Sequence, residues 1–146
     1  MKYLSILLLV VSVVICSTAL ASAPSAGTDG KFTEEKLRQI EENLIACLAS
    51  ESPGVRTSAA LTLKQLKEIA PEYALSRSVI PLMVVVNNEG FDQNSRIVAG
   101  LALHQLGSDR GDYAIKWTGY FTDATRVKHI FEALTYDRGQ TRLTSR

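Results

Sequence analysis

At 146 residues, with 46% hydrophobic side chains and a formal charge of +1, the chain has material for one modest domain. It lacks the surplus cation that a generic binder of nucleic acid or anionic membrane needs. Two cysteines, Cys16 and Cys47, are too few for a disulfide-stapled miniprotein or a cysteine-ligated zinc site.

Met1-Lys2 forms a short positive start, and Leu4 to Ile15 is apolar apart from Ser5 and Ser12. Small residues follow, and Ala19-Leu20-Ala21 fits the small-x-small pattern of a signal-peptidase site, so residues 1–21 are predicted to be a signal peptide cleaved after Ala21. The rival reading, a retained membrane anchor, asks for about 20 apolar residues, and this run is nearer a dozen. Lipidation at Cys16 is disfavoured by Ile15 before it. The expected location is secreted, periplasmic in a bacterium. Without Lys2 the remaining chain balances 15 cations against 15 acids, and Cys47 is its only thiol. Residues 22–31, rich in Ser, Ala, Gly and Pro, read as a flexible leader.

A helical domain is expected over residues 32–137. Phe32, Thr33 and Leu37 suit a hydrophobic staple around an N-cap, and Leu37, Ile40, Leu44, Ile45 and Leu48 carry helical spacing to about Ser50. Ser52-Pro53 opens a second helix through Val55, Ala59, Leu63, Leu66 and Ile69, which Pro71 ends. Val79 to Val86 contains a β-branched run that also suits a strand, but Ser78 as a cap and Pro81 in the first turn favour helix. Asp109 or Asp112 can cap a helix holding Tyr113, Trp117, Tyr120 and Phe121, and Asp123 another holding Val127, Ile130, Phe131 and Leu134. The end of the chain, 138–146, has three arginines and no acid and reads as a disordered basic tail.

The segments repeat. Arg56 to Leu66 and Arg96 to Leu106 lie 40 residues apart with six of eleven pairs identical, and Leu44, Ile45, Leu48 and Glu51 match Leu82, Met83, Val86 and Glu89 at an offset of 38. A period near 40 with two helices per unit predicts an all-α fold, a short α-solenoid of about three helical pairs, the third more diverged.

Through Ser52-Pro53-Gly54-Val55-Arg56, Ala59, Ala60, Leu61 and Leu66, and through Val79-Ile80-Pro81-Leu82 in the next unit, the chain resembles the HEAT-repeat family, including bacterial HEAT-like proteins related to phycobilin-lyase repeats. The resemblance covers roughly Glu34 to Tyr136. It implies scaffolds, adaptors and a few lyases, so it speaks for architecture more than for function. The segment Glu89 to Asn94 is longer than that family's usual inter-helix turn.

Residues suited to chemistry are sparse. His104 and His129 fall on different predicted helices without a metal-ligand pattern, and Cys47 lacks an evident cationic neighbour, so no catalytic residue, metal or cofactor is expected. The recurrent Arg56 and Arg96 read either as a ligand-facing ladder or, preferred, as structural ties to helix-end carbonyls and to carboxylates such as Glu51 and Asp92. Gly100 stands where Ala60 does in the register, which asks for close packing as compensation.

The aromatics concentrated in the last third either close the end of the stack, the preferred reading, or form a binding platform. Acids exceed bases six to three from Asp29 to Glu51, and bases exceed acids five to two from Arg126 to Arg146. The functional expectation is a non-enzymatic binding module or scaffold for a protein or peptide partner. Its contacts would be Lys64, Lys67, His104 and Arg110 along the second helices, with Trp117 and Tyr120. The runner-up is a lyase-type or cofactor-handling enzyme with a pocket at the aromatic end.

Overall fold

A computed structural model describes residues 33–144, with side chains through Arg138. The predicted signal peptide and leader lie outside the described residues. Six helices follow one another: α1 (Glu34–Leu48), α2 (Pro53–Ile69), α3 (Val79–Asn87), α4 (Gln93–Leu106), α5 (Asp109–Phe121) and α6 (Thr125–Thr144), with a 3-10 turn at Ser76–Ser78 before α3. No described residue lies in a strand. No helix among the described residues is long and apolar enough to cross a membrane.

Local signals account for most boundaries. Thr33 caps α1, its hydroxyl accepting the Lys36 N–H at 3.4 Å, and the Asp92 carboxylate caps α4 by accepting the Ser95 N–H at 2.9 Å. Pro53 occupies the first turn of α2, where a missing N–H costs nothing. Gly107 ends α4 at φ 70°, a left-handed turn that a side chain would strain. The cap of α5 is Ser108, whose hydroxyl accepts the Gly111 N–H at 3.1 Å, and neither Asp109 nor Asp112 as expected. Those two acids sit in the first turn, where the helix dipole favours them. Ser78 precedes α3 without capping it, because its side chain is engaged elsewhere.

Each helix packs with its successor into a pair, α1 with α2, α3 with α4, α5 with α6. The first helices then lie side by side in one layer and the second helices in another: α3 lies between α1 and α5, and α4 between α2 and α6. This is the short all-α solenoid of three pairs that the repeat predicts. The β-branched Val84-Val85-Val86 run is helical because α3 sits inside the stack, where Leu82, Val85 and Val86 are fully covered.

The register holds in three dimensions, since Leu63 and Leu103 are both completely buried, as are Ala60 and Gly100. Two residues expected on the packed face of α2 are out in solvent, Val55 in the first turn and Ile69 at the last position.

A buried carboxylate ties the first pair to the second. Glu41 is 1% exposed, and its oxygens accept from the Ser78 N–H (3.0 Å), the Ser78 hydroxyl (2.9 Å) and the Tyr73 phenol (2.9 Å). Those three bonds replace water around the charge. Burial, reinforced by the bond to Glu41, pushes the Tyr73 phenol above its ordinary pKa.

The helix α6 continues past Arg138, where the sequence suggested a disordered tail. Its guanidinium bonds the His104 carbonyl at the end of α4 and lies 3.4 Å from the Asp112 carboxylate of α5. Arginine at this point is therefore a docking residue.

Candidate functional site

The recurrent arginines form a seam along the turns of the stack. Arg56, 4% exposed, donates to the Ser50 and Glu51 carbonyls beyond α1 (2.7 and 3.1 Å) and reaches Asp92 of the next unit at 3.2 Å. Its guanidinium also lies over the Phe91 ring, 4.0 Å from the centroid. The Glu89–Asn94 segment, longer than a usual inter-helix turn, thus presents Phe91 and Asp92 to the preceding unit.

Arg96 repeats the device, donating to the Val86 carbonyl at 3.0 Å and to the Thr122 hydroxyl of the third unit at 3.2 Å. Burial lowers its pKa, against the nearby Glu89 charge. Asp92 is pushed up by burial, but bonds from the Ser95 hydroxyl and N–H and from Arg56 outweigh that and hold it below the ordinary carboxyl range. Lys128 stands at the third rung: its N–H bonds the Ala124 carbonyl as those of Arg56 and Arg96 bond Ser52 and Asp92.

The cations proposed from sequence as one contact surface are differently employed. Lys64 pairs with Glu68 one turn on, at 2.5 Å. Lys67 donates to the Pro71 and Tyr73 carbonyls (2.6 and 3.1 Å), so it closes the loop after α2. His104, largely covered, lies 3.6 Å from the Asp137 carboxylate, and Arg110 is exposed in the first turn of α5. Nothing links the four into a continuous patch. Lys67 in particular is a loop tie, a role hidden in the sequence because a free lysine and one bonding carbonyls four and six residues on look alike.

The exposed side of α5 is aromatic. Tyr113, Trp117 and Phe121 follow at four-residue steps, and Tyr120 joins them one step round the helix. All four are more than half exposed, Trp117 at 51%. Ring centroids are 6.0 Å apart from Tyr113 to Trp117 and 4.3 Å from Trp117 to Phe121. The expectation that these rings close the end of the stack fails for all four and for Tyr136, 70% exposed. Phe131 alone of the last-third rings is buried, standing against Gly100 so closely that an added Cβ there would overlap its ring. The core of the third unit is filled by that one ring with Ala114, Ile115 and Val127.

Three clefts border this ring face. One of about 320 Å³ is reached from Tyr113 and holds His104, Asp112, Lys116 and Arg138. A second of about 290 Å³ lies between Tyr120 and Tyr136, over Gly119. The third, about 210 Å³, sets Trp117 and Phe121 beside Arg96, Glu89 and Asn87. A rigid helix carrying large amphipathic rings, with polar depressions on each side, is suited to gripping an extended or helical chain.

Three residues with clear roles escaped the sequence reading: Glu41, Phe91 and Arg138. For Glu41 a signal existed, because it falls four residues after Leu37 and seven before Leu48, on the apolar stripe of α1. For the other two the partner is remote in sequence and only folding supplies it. No group of three or more His, Cys, Asp or Glu suited to a metal ion occurs among the described residues. Comparison with protein-family models, curated proteins and solved structures gives no match to this chain.

Proposed function

We propose that the chain is a non-catalytic binding module, HEAT-like in its repeats, that holds a protein or peptide partner on the aromatic side of α5. The observation that carries this reading is the Tyr113, Trp117 and Phe121 ladder, Tyr113 stacked on Trp117 and Phe121 tilted against it, large rings in water instead of in the core. Such rings lose little conformational freedom on binding and dominate interface energetics. Arg96 ties the end of α5 to the stack through the Thr122 hydroxyl, and Trp117 and Tyr120 make the contact. The apolar Leu4 to Ile15 segment and Ala19-Leu20-Ala21 support export to a secreted, periplasmic location.

A displayed-peptide selection tests this. Sequences enriched on the intact chain should quench or shift Trp117 fluorescence, and Trp117→Ala should weaken them by roughly thirtyfold or more, the loss of about 2 kcal/mol expected at a hot spot. Peptides that bind the Trp117→Ala chain equally well would end the proposal.

The second reading, a lyase-type or cofactor-handling enzyme, draws on the cleft that gathers His104, Asp112, Lys116 and Arg138. It requires a small ligand whose binding His104→Ala abolishes and Trp117→Ala leaves intact.

A further inference from the structure

The repeat register exposes an unfinished interface at the first pair. Leu82 and Val85 of α3 and Ser95, Ala99 and Ala102 of α4 are all buried, and Ser95 bonds the Thr57 hydroxyl and the Pro53 carbonyl of unit one. The offsets of 38 and 40 map these onto Leu44 and Cys47 of α1 and onto Val55, Ala59 and Thr62 of α2. Those residues line a groove of about 300 Å³ between α1 and α2, open to solvent, with Val55 41% exposed. The groove has the apolar make-up of a surface that receives a helical pair, and no described residue covers it.

The far end is finished differently. Thr57 and Ala60 of α2, and Ile97 and Gly100 of α4, face the following unit: Thr57 shares a hydrogen bond with Ser95, and Gly100 receives Phe131. Counting from the rung at Arg56, Arg96 and Lys128, the equivalents on α6 are His129 and Glu132, both exposed and 3.7 Å apart. That end is polar on α6 at these two positions, with the exposed rings of Tyr120 and Tyr136 beside Glu132. A copy presenting it to the apolar groove would bury two ionisable groups against Val55 and Leu44, so head-to-tail stacking is disfavoured.

We propose that the groove is covered by the same groove of a second copy, giving a two-fold dimer joined α1–α2 to α1–α2. Two-fold symmetry supplies an apolar face of matching kind without any further surface. Charge agrees with the geometry. Lys36 continues the Ile40, Leu44, Cys47 side of α1, and Glu51 lies just beyond the other end of that helix, both exposed. With the two-fold axis crossing α1 the two copies of that helix run antiparallel, and this orientation sets each Lys36 towards the Glu51 of the other copy. This interface is independent of the aromatic side of α5, so either proposal can fail alone.

Sedimentation velocity of the full chain across a range of concentrations should show a reversible monomer–dimer equilibrium that ends at the dimer. Val55→Asp should weaken it by roughly thirtyfold or more, because a charge is buried where an anchor stood. Trp117→Ala should leave it unchanged. In a Cys16→Ser background a short bismaleimide should join Cys47 to Cys47, since the axis passes through the groove. A monomer at every concentration overturns the proposal. So does a dimer in which Val55→Asp has no effect or Cys47 pairs are not captured. Growth beyond dimers would instead show head-to-tail assembly, and a monomer whose Cys47 becomes reactive only when residues 1–32 are removed would show that the chain covers its own groove.

Discussion

The neighbouring helices α4 and α5, of 14 and 13 residues, sort their side chains in opposite ways. α4 takes a serine and an arginine into the interior, while α5 holds three aromatic residues and a lysine to solvent between Tyr113 and Tyr120. Residue type does not decide which is buried. α4 has a unit on each side, so its polar groups are enclosed and must find partners, as Arg96 does in Val86 and Thr122. α5 belongs to the outer unit, with no described unit beyond it, and Tyr113, Trp117, Tyr120 and Phe121 stay exposed to solvent.

The contrast breaks first at the ring that does enter. Phe131→Ala should cost about 3 to 5 kcal/mol, since it removes a fully buried side chain and leaves the notch at Gly100 empty. Denaturant unfolding measures this, and a loss below about 1 kcal/mol, the typical cost of an arbitrary substitution, would show that the third unit packs otherwise. Next come the repeat equivalents: Leu63→Ala and Leu103→Ala should each cost about 2 to 5 kcal/mol. Unequal losses would mean that the 40-residue register aligns sequence without aligning packing.

The seam gives smaller effects that separate interior polarity from surface polarity. Arg56→Ala should lower stability by about 1 to 3 kcal/mol, because it deprives the Ser50 and Glu51 carbonyls and Asp92 of their donor. Lys64→Glu should change it by no more than about 0.5 kcal/mol, as befits an exposed helical pair. Asp92 adds a pH dependence of definite sign. Its folded pKa is depressed, so its contribution is present above the unfolded carboxyl value of about 3.9 and is lost as pH falls through the lower folded value. Acid titration of the melting temperature should therefore be shallower in Asp92→Asn than in the parent. Smallest of all in stability, Trp117→Ala should shift unfolding by no more than about 0.5 kcal/mol while weakening partner binding.

How much was legible follows from which interactions are local. Helix starts at Thr33 and Pro53 depend on neighbours within four residues, and the paired architecture depends on a repeat visible by inspection. The arginine ties were foreseeable because two copies of one position invite one explanation. The exposure of Trp117 was not, since the same ring spacing serves a helix with a unit beyond it and a helix without one. The bonds of Arg138 and Lys67 were not legible for a related reason: charge pattern describes a side chain's nature, while its employment depends on carbonyls that come near only in the folded chain.

The seam also has a direction, and that makes one unit a transplantable part. Each guanidinium takes carbonyls from its own unit and a side-chain oxygen from the following one, Asp92 for Arg56 and Thr122 for Arg96. A second copy of the segment from the loop after α2 to the end of α4, inserted in tandem, would bring its own Asp92 to meet the upstream Arg96 and its own Arg96 to meet Thr122. One adjustment is dictated by the packing. The upstream Gly100 would no longer face Phe131 but the duplicate's Ala99, so alanine, as at Ala60, is the residue that an elongated version of this protein would carry there.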